Sequence, residues 1–421
     1  MEIGMLNEKA GKLFEEKRYE EALSIFESME VVPDEVKPNW AKLWFHCGDA
    51  KRALDIISTV DSKEEPDPEL LIDYALYLGY NDMEDEAADI FKDLAEVGNE
   101  KAKFNLGWYY LSAGKFKEGF ESLQAGVDLN VWGNEKSYVD SGVLDRRNKW
   151  DGQTKVNKLL FILEGGAGDG IIFFRFVMQA SKFCDDLIIA CQPEMVRLFY
   201  DAMYSLDLDL HRFSVVPHGA ISHIEYDAYL PGFQAPYIMQ LDSPVTKDVY
   251  VKVGSEAMIE YPLSVLRYES GIPLIAMKLW GNKLYDHQTF RKFPPDNLVR
   301  ICKERANVIN LQLDDDGEFG EGCLPAKNII TDWKSTANVI KGVDVVVSSC
   351  SGVAHLAASM GIQTIVIVPK VSYFVWASDD PKYKWYGSHT HIIRQKNHGD
   401  WTNCWDELEQ TLDKIGYRRK T

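Results

Sequence analysis

Along the first third of the chain, bulky apolar residues recur three and four positions apart, the spacing of one helix face. Four stretches share one arrangement. A small residue at Ala22, Ala53, Ala87 and Gly119 is followed four positions later by Phe26, Ile57, Phe91 and Leu123. Such a pair lies on one face, and its small member lets a second helix approach closely. The pattern predicts paired helices over 1–130, with 61–68 as a loop between pairs. From Lys158 the periodicity changes. Short unbroken apolar runs alternate with helical stretches, as in parallel sheets covered on both faces. Runs at 159–163, 187–190 and 213–216, with 225–231, predict a Rossmann-like domain over 158–265. Runs at 274–277, 308–311, 343–347 and 364–368 predict a second over 266–421, ending in an amphipathic helix over 403–415. Residues 131–157 read as a linker. The expected fold class is α/β with an all-α N-terminal part.

The first run of the first Rossmann-like domain ends in Glu164-Gly-Gly-Ala-Gly-Asp-Gly170. Gly165, Gly166 and Gly168 allow a tight turn with uncovered N–H groups. Asp169 is expected as the N-cap of an apolar helix over about 170–182. Strand, glycine turn and helix start make a crevice that faces an anion or ligand. Three uses fit it: a dinucleotide site, a plain capped turn, or a transferase cleft with Asp169 as base. The strict Gly-x-Gly-x-x-Gly is absent, and the next strand ends in Cys191-Gln192 where a ribose-binding acid belongs. Both features disfavour NAD.

Composition narrows the classes further. The 421 residues are 46% hydrophobic and 12% aromatic, enough for large cores in two or three domains. A net charge of −19 disfavours nucleic acid or an anionic membrane as main partner. Seven cysteines, odd in number and without a Cys-x-x-Cys, suggest a reduced intracellular protein without a zinc site. The N-terminus has no apolar signal core, and no stretch has the apolar length of a membrane span. The expectation is a soluble cytoplasmic protein.

Two resemblances follow from these residues. The small-and-bulky pairs resemble tetratricopeptide repeats, solenoids that bind peptides or proteins or that brace a neighbour. The stretch Glu164–Arg175, Gln192-Pro193, Trp280-Gly-Asn282 with Arg291, and Asp344–Gly361 resemble tetratricopeptide glycosyltransferases related to the ADP-heptose:lipopolysaccharide heptosyltransferases. Lys384-Trp-Tyr386, Arg394-Gln395 and Gly399-Asp-Trp401 match that family's closing segment. The likeness spans roughly residues 145 to 415, in the family's order. It implies the two-domain GT-B fold, with the acceptor on the N-terminal half and a nucleotide-sugar on the C-terminal half. It also implies inverting transfer without a metal or other cofactor, and ADP-heptose as the family's donor. The chain departs from the pattern at Cys350-Ser351, where the family has Asp-Thr, and at Gly165 and Ala167, where it has Gln and Leu.

Glycosyl transfer needs stabilisation of a leaving diphosphate and a base for the acceptor hydroxyl. Without a metal, helix N-termini and cations take the first task. The expected donor-binding set is Gly166, Gly168, Lys278, Asn282, Arg291, Ser351, Gly352 and His355. Asp169 is the expected base, held ionised by the helix dipole and its N–H groups. The acceptor is a hydroxyl on a glycan or protein, recruited by the repeats. The rival reading is a non-catalytic scaffold in which Cys350 marks a lost donor acid.

Overall fold

The computed structural model describes residues 2–60, 67–205, 211–244, 249–254, 272–281, 288–313, 323–378 and 384–419. Asn282 and Lys283, and most of the 61–68 loop, lie outside them.

The N-terminal part consists of four helix pairs: Glu2–Glu15 with Tyr19–Glu27, Lys37–His46 with Ala50–Ile57, Pro68–Tyr80 with Glu84–Glu96, and Glu100–Ser112 with Phe116–Leu123. Asp49, Asp67 and Asn99 cap helices by accepting backbone N–H groups. The four small residues and their four bulky partners are all buried. In the last pair the helices cross at Gly107 and Gly119. A Cβ on Gly107 would stand 3.0 Å from the Gly119 carbonyl oxygen.

Two parallel sheets follow. The first contains β1 (Val156–Ile162), β2 (Cys184–Cys191), β3 (Phe213–Pro217) and β4 (Ala228–Pro231), in the order β3-β2-β1-β4. The second contains β5 (Leu274–Lys278), β6 (Asn307–Asn310), β7 (Cys323–Pro325), β8 (Val345–Ser349), β9 (Gln363–Val368) and β10 (Thr390–Arg394). Its order is β10-β9-β8-β5-β6-β7. β5, β8 and β9 are buried along nearly their whole length and β1 from Leu159 to Ile162, so both faces there demand apolar residues. The edge strands β7 and β10 were not anticipated. β7 has three residues and ends in proline, too short for any period to show.

The helix after β1 differs from expectation. It spans Ala167–Phe174, and Gly166 is its N-cap, so Asp169 stands at the third helical position. The helix breaks at Arg175-Phe176 and a second helical turn follows at Val177–Ala180; at the break the Arg175 side chain folds back and donates from Nε to the Ile172 carbonyl, 3.0 Å away. Arg175 also bonds the Trp385 carbonyl at 2.9 Å and the Tyr250 hydroxyl at 3.0 Å, and lies against the rings of Tyr250, Trp385 and Tyr386. It thereby ties the two halves together. The ion pairs Arg197–Asp332 (2.7 Å) and Lys334–Asp201 (3.5 Å) add surface ties. One apolar core runs from the last helix pair through both halves.

The linker is pinned by two buried glutamates. Glu135 accepts from Lys149, Gln234 and Tyr229 at 2.7–2.9 Å. Burial pushes its carboxyl up, but these hydrogen bonds outweigh it and hold it below the usual range. Glu164 follows β1 and accepts the N–H of Asn134 at 2.6 Å and of Phe233 at 3.3 Å. Burial pushes its carboxyl up from 4.5 to about 7. A raised pKa means that the native state favours the protonated form. Its stabilising effect is complete below pH 4.5 and is lost as pH rises through about 7. Across that window the unaltered chain should lose about 3 kcal/mol relative to Glu164→Gln. Urea unfolding of both proteins from pH 4 to 8 checks this, and parallel slopes would clear Glu164 of the effect.

Candidate active site

The site begins where β1 ends. Gly165 takes a φ of +73°, and a Cβ there would stand 2.6 Å from Phe233 and 2.8 Å from the Asp169 carboxylate. The Gln192 amide donates to the Gly165 carbonyl at 2.6 Å and fixes the turn. Opposite, β8 ends at Ser349, and Ser351 caps the helix Gly352–Ser359. The two helix starts meet. A Cβ on Gly168 would lie 3.3 Å from Gly352 Cα, and one on Gly352 would lie 3.3 Å from Gly168 N. Glycine at both places permits this approach. First-turn N–H groups have no partner within their own helix, so two such ends side by side favour an anion.

Asp169 joins the halves chemically. Its Oδ2 accepts the Gly166 N–H at 2.9 Å, and its Oδ1 accepts the Tyr373 hydroxyl at 3.1 Å. Burial pushes its carboxyl above the ordinary range, although these bonds and the Arg291 charge pull the other way. The direction is the reverse of the depression expected from the helix dipole. A raised pKa makes Asp169 a stronger base than an exposed aspartate.

The cationic side is built on β5 and β8. Arg291 ends the short helix Gln288–Arg291 and donates to the Cys350 carbonyl at 3.2 Å. It lies against Gly281, where a Cβ would stand 3.1 Å from its Nη2. Lys278 is in register with Ser348 and donates to the Leu311 carbonyl at 3.2 Å. Burial pushes the Cys350 thiol up, so this position stays neutral where a carboxylate would face Arg291. The Ser351 and Ser348 hydroxyls are 2.9 Å apart, and Ser348 gives its proton to the Ser349 carbonyl at 2.7 Å. Ser351 is therefore the donor to Ser348, and its N–H rather than its hydroxyl remains for an anion.

His355 occupies a different place from the others. It is 4% exposed, stacks on Trp376 at 4.6 Å, and its Nδ1 lies 2.9 Å from the Tyr386 hydroxyl. Burial, then the charge of Arg175, drives its pKa down to about 3. It is neutral at physiological pH and wedges the helix Gly352–Ser359 against Gly168, Cδ2 lying 3.4 Å from a Cβ placed there.

The structure thus brings Gly166, Gly168, Asp169, Ser351 and Gly352 together where the two helix starts meet, sets Arg291 on the Cys350 carbonyl beside them, and adds Tyr373. Tyr373 follows β9 at its carboxyl end, where crevice loops belong. That position was the only sequence signal for it. Among the described residues no three His, Cys, Asp or Glu side chains group as a metal site. No described helix is long and apolar enough to cross a membrane. A cavity of about 260 Å³ lies elsewhere, lined by Lys117, Glu121, Tyr237 and Gln240 among others.

No family model matches the chain, and no curated protein matches it. Solved structures do. A glycosyl transferase family 9 protein from Veillonella parvula is 10% identical, over 64% of this chain and 93% of that one, with a TM-score of 0.42. The E. coli ADP-heptose LPS heptosyltransferase II is 12% identical over 61% and 99%, with a TM-score of 0.43. MamA of MSR-1 is 18% identical over 34% and 87%, with a TM-score of 0.27. These likenesses are distant and fix no substrate.

Proposed function

We propose that this protein is a glycosyltransferase that moves a sugar from a nucleoside diphosphate to a hydroxyl of a glycan or protein. One observation carries the reading. Two helix N-termini and Arg291 come together beside a half-buried carboxylate from the opposite half whose pKa is raised. An anion site facing a base across a cleft suits displacement of a diphosphate by a hydroxyl. The acceptor oxygen attacks the anomeric carbon from the Asp169 side. The acceptor proton passes to Asp169, whose free orientation is limited by Tyr373. The carbon–oxygen bond to the diphosphate breaks on the other side, and Arg291 with the Ser351 and Gly352 N–H groups takes up the charge. Attack and departure on opposite faces invert the anomeric centre. No step in this scheme calls for a metal. ADP-heptose, the donor implied by the motif resemblance, is the first to test.

A non-catalytic scaffold is the second reading, favoured by Cys350 in place of the family's acid. Nucleotide-sugar turnover by the purified chain separates the two.

Arg291→Ala should weaken ADP binding about 10- to 100-fold, the loss of charge-assisted hydrogen bonds worth about 1.5–3 kcal/mol. Calorimetric titration measures it, and unaltered affinity would remove Arg291 from the site. Asp169→Asn should lower single-turnover transfer by about 10²–10⁴-fold while ADP binding persists. The pH profile supplies the second readout. The rate should climb as Asp169 loses its proton, at a pH above that of an ordinary aspartate, and the Asn variant should lack that limb. Transfer by the variant close to that of the unaltered chain would return Asp169 to helix capping.

A further inference from the structure

Two segments of the C-terminal half deliver the candidate site's side chains, and both are seated on the repeats. The first is the helix Gln288–Arg291. Phe290, 6% exposed, packs its ring 5.1 Å from Phe45 and 4.9 Å from Tyr80. Thr289 donates its hydroxyl to the His46 carbonyl at 3.1 Å. The second segment follows β9. Lys370 pairs with Asp82 at 2.6 Å, and the Tyr373 ring lies 5.5 Å from Trp108. Phe45, Tyr80 and Trp108 belong to the first helices of the second, third and fourth pairs. One edge of the repeat array therefore holds both segments.

The four described residues of this helix are too few to hold themselves, because nucleation fixes several residues for one hydrogen bond. The position of Arg291 thus depends on tertiary anchors, and its neighbour Phe290 is buried in one. Tyr373 stands in the same relation to Trp108, and its hydroxyl reaches Asp169. We infer that the repeat array is a wall of the active site. Phe290 is a positioning residue for Arg291, and Trp108 is a positioning residue for Asp169, acting through Tyr373. The role rests on the glycosyltransferase reading for its consequence, but the anchoring itself does not. It also differs from partner recruitment, since this edge of the array is already occupied by the chain's own aromatics.

The test uses the full chain with Phe290→Ala and Phe290→Leu. ADP is the probe, and amide hydrogen exchange at 288–291 is the second readout. Phe290→Ala should speed exchange at 288–291 and raise the ADP dissociation constant about tenfold or more, while the melting curve keeps its single transition. Leu fills much of the same space and should restore both. Faster exchange with unchanged ADP affinity would overturn the positioning role, and unchanged exchange would overturn the anchoring. If Phe290→Ala does not fold, Trp108→Leu decides. It should speed exchange at 373–376 and at 166–169, where the Tyr373 bond to Asp169 ends, and protection at 166–169 equal to the unaltered chain's would overturn the inference. If the unaltered chain binds no ADP, the glycosyltransferase reading falls, and exchange alone judges the anchoring.

Discussion

The meeting of Gly168 with Gly352 is the contact on which the other features depend. Two helices from different sheets bring their N-termini within van der Waals distance, and a Cβ on either glycine would stand 3.3 Å from the other, a tight contact that the neighbour would have to yield to. Because they touch, Tyr373 can span the crevice to Asp169, and His355 can pack behind the junction. The positive ends of two helices placed together repel, at roughly half an elementary charge each. Burial between the aromatic layers holds them there. Arg175 supports the junction from inside, its guanidinium satisfied by carbonyl and hydroxyl oxygens and by ring faces.

That closeness decides the character of Asp169. A helix N-terminus stabilises an anion by about 0.3–1 kcal/mol at the surface, and by about 2 when partly buried. At Asp169 desolvation nevertheless outweighs the bonds from Gly166 and Tyr373 and the charge of Arg291, and the carboxyl is raised. Burial likewise keeps Cys350 neutral. A carboxylate at that position would sit beside Arg291 and offset its charge, whereas a neutral thiol leaves the surroundings of Arg291 more positive.

Much of the fold was legible because it rests on repeated local patterns. Ala22, Ala53, Ala87 and Gly119 marked helix pairs, and all four are buried where helices cross. The apolar runs of β1, β8 and β9 announced strands covered on both faces. What stayed hidden depends on distant residues. The helix after β1 breaks at Arg175-Phe176, where the Arg175 side chain turns back to a carbonyl, a break with no periodic trace. β7 and β10 are held by their neighbours rather than by any pattern of their own. In the candidate site, Asp169, Arg291 and Gly352 were named from motif and position, and the structure sets them near one another. Tyr373 was not, since its bond to Asp169 spans 204 residues. The direction of the Asp169 shift was misread for the same reason: sequence shows the helix start but not its lid. His355 likewise reads as a donor-binding residue in a motif, whereas burial among Trp376 and Tyr386 and the charge of Arg175 make it a neutral packing residue.

The linker over 131–157 separates two kinds of sequence but does not separate two cores. Phe120 of the last repeat helix packs on Phe173, Phe374 and Trp132, and Trp132 packs on Phe233 at 4.5 Å. The repeats are therefore continuous with the first Rossmann-like half through Phe173, and with the second through Phe374. Phe290 and His398 extend that continuity to the second and third helix pairs, His398 lying 2.7 Å from the Tyr80 carbonyl. A solenoid whose edge is occupied in this way has little freedom to swing as a separate adaptor. Any partner it takes must meet surfaces other than Phe45, Tyr80 and Trp108. The same packing means that strain introduced along this edge reaches Arg291 within one residue, and reaches Asp169 through a single hydroxyl.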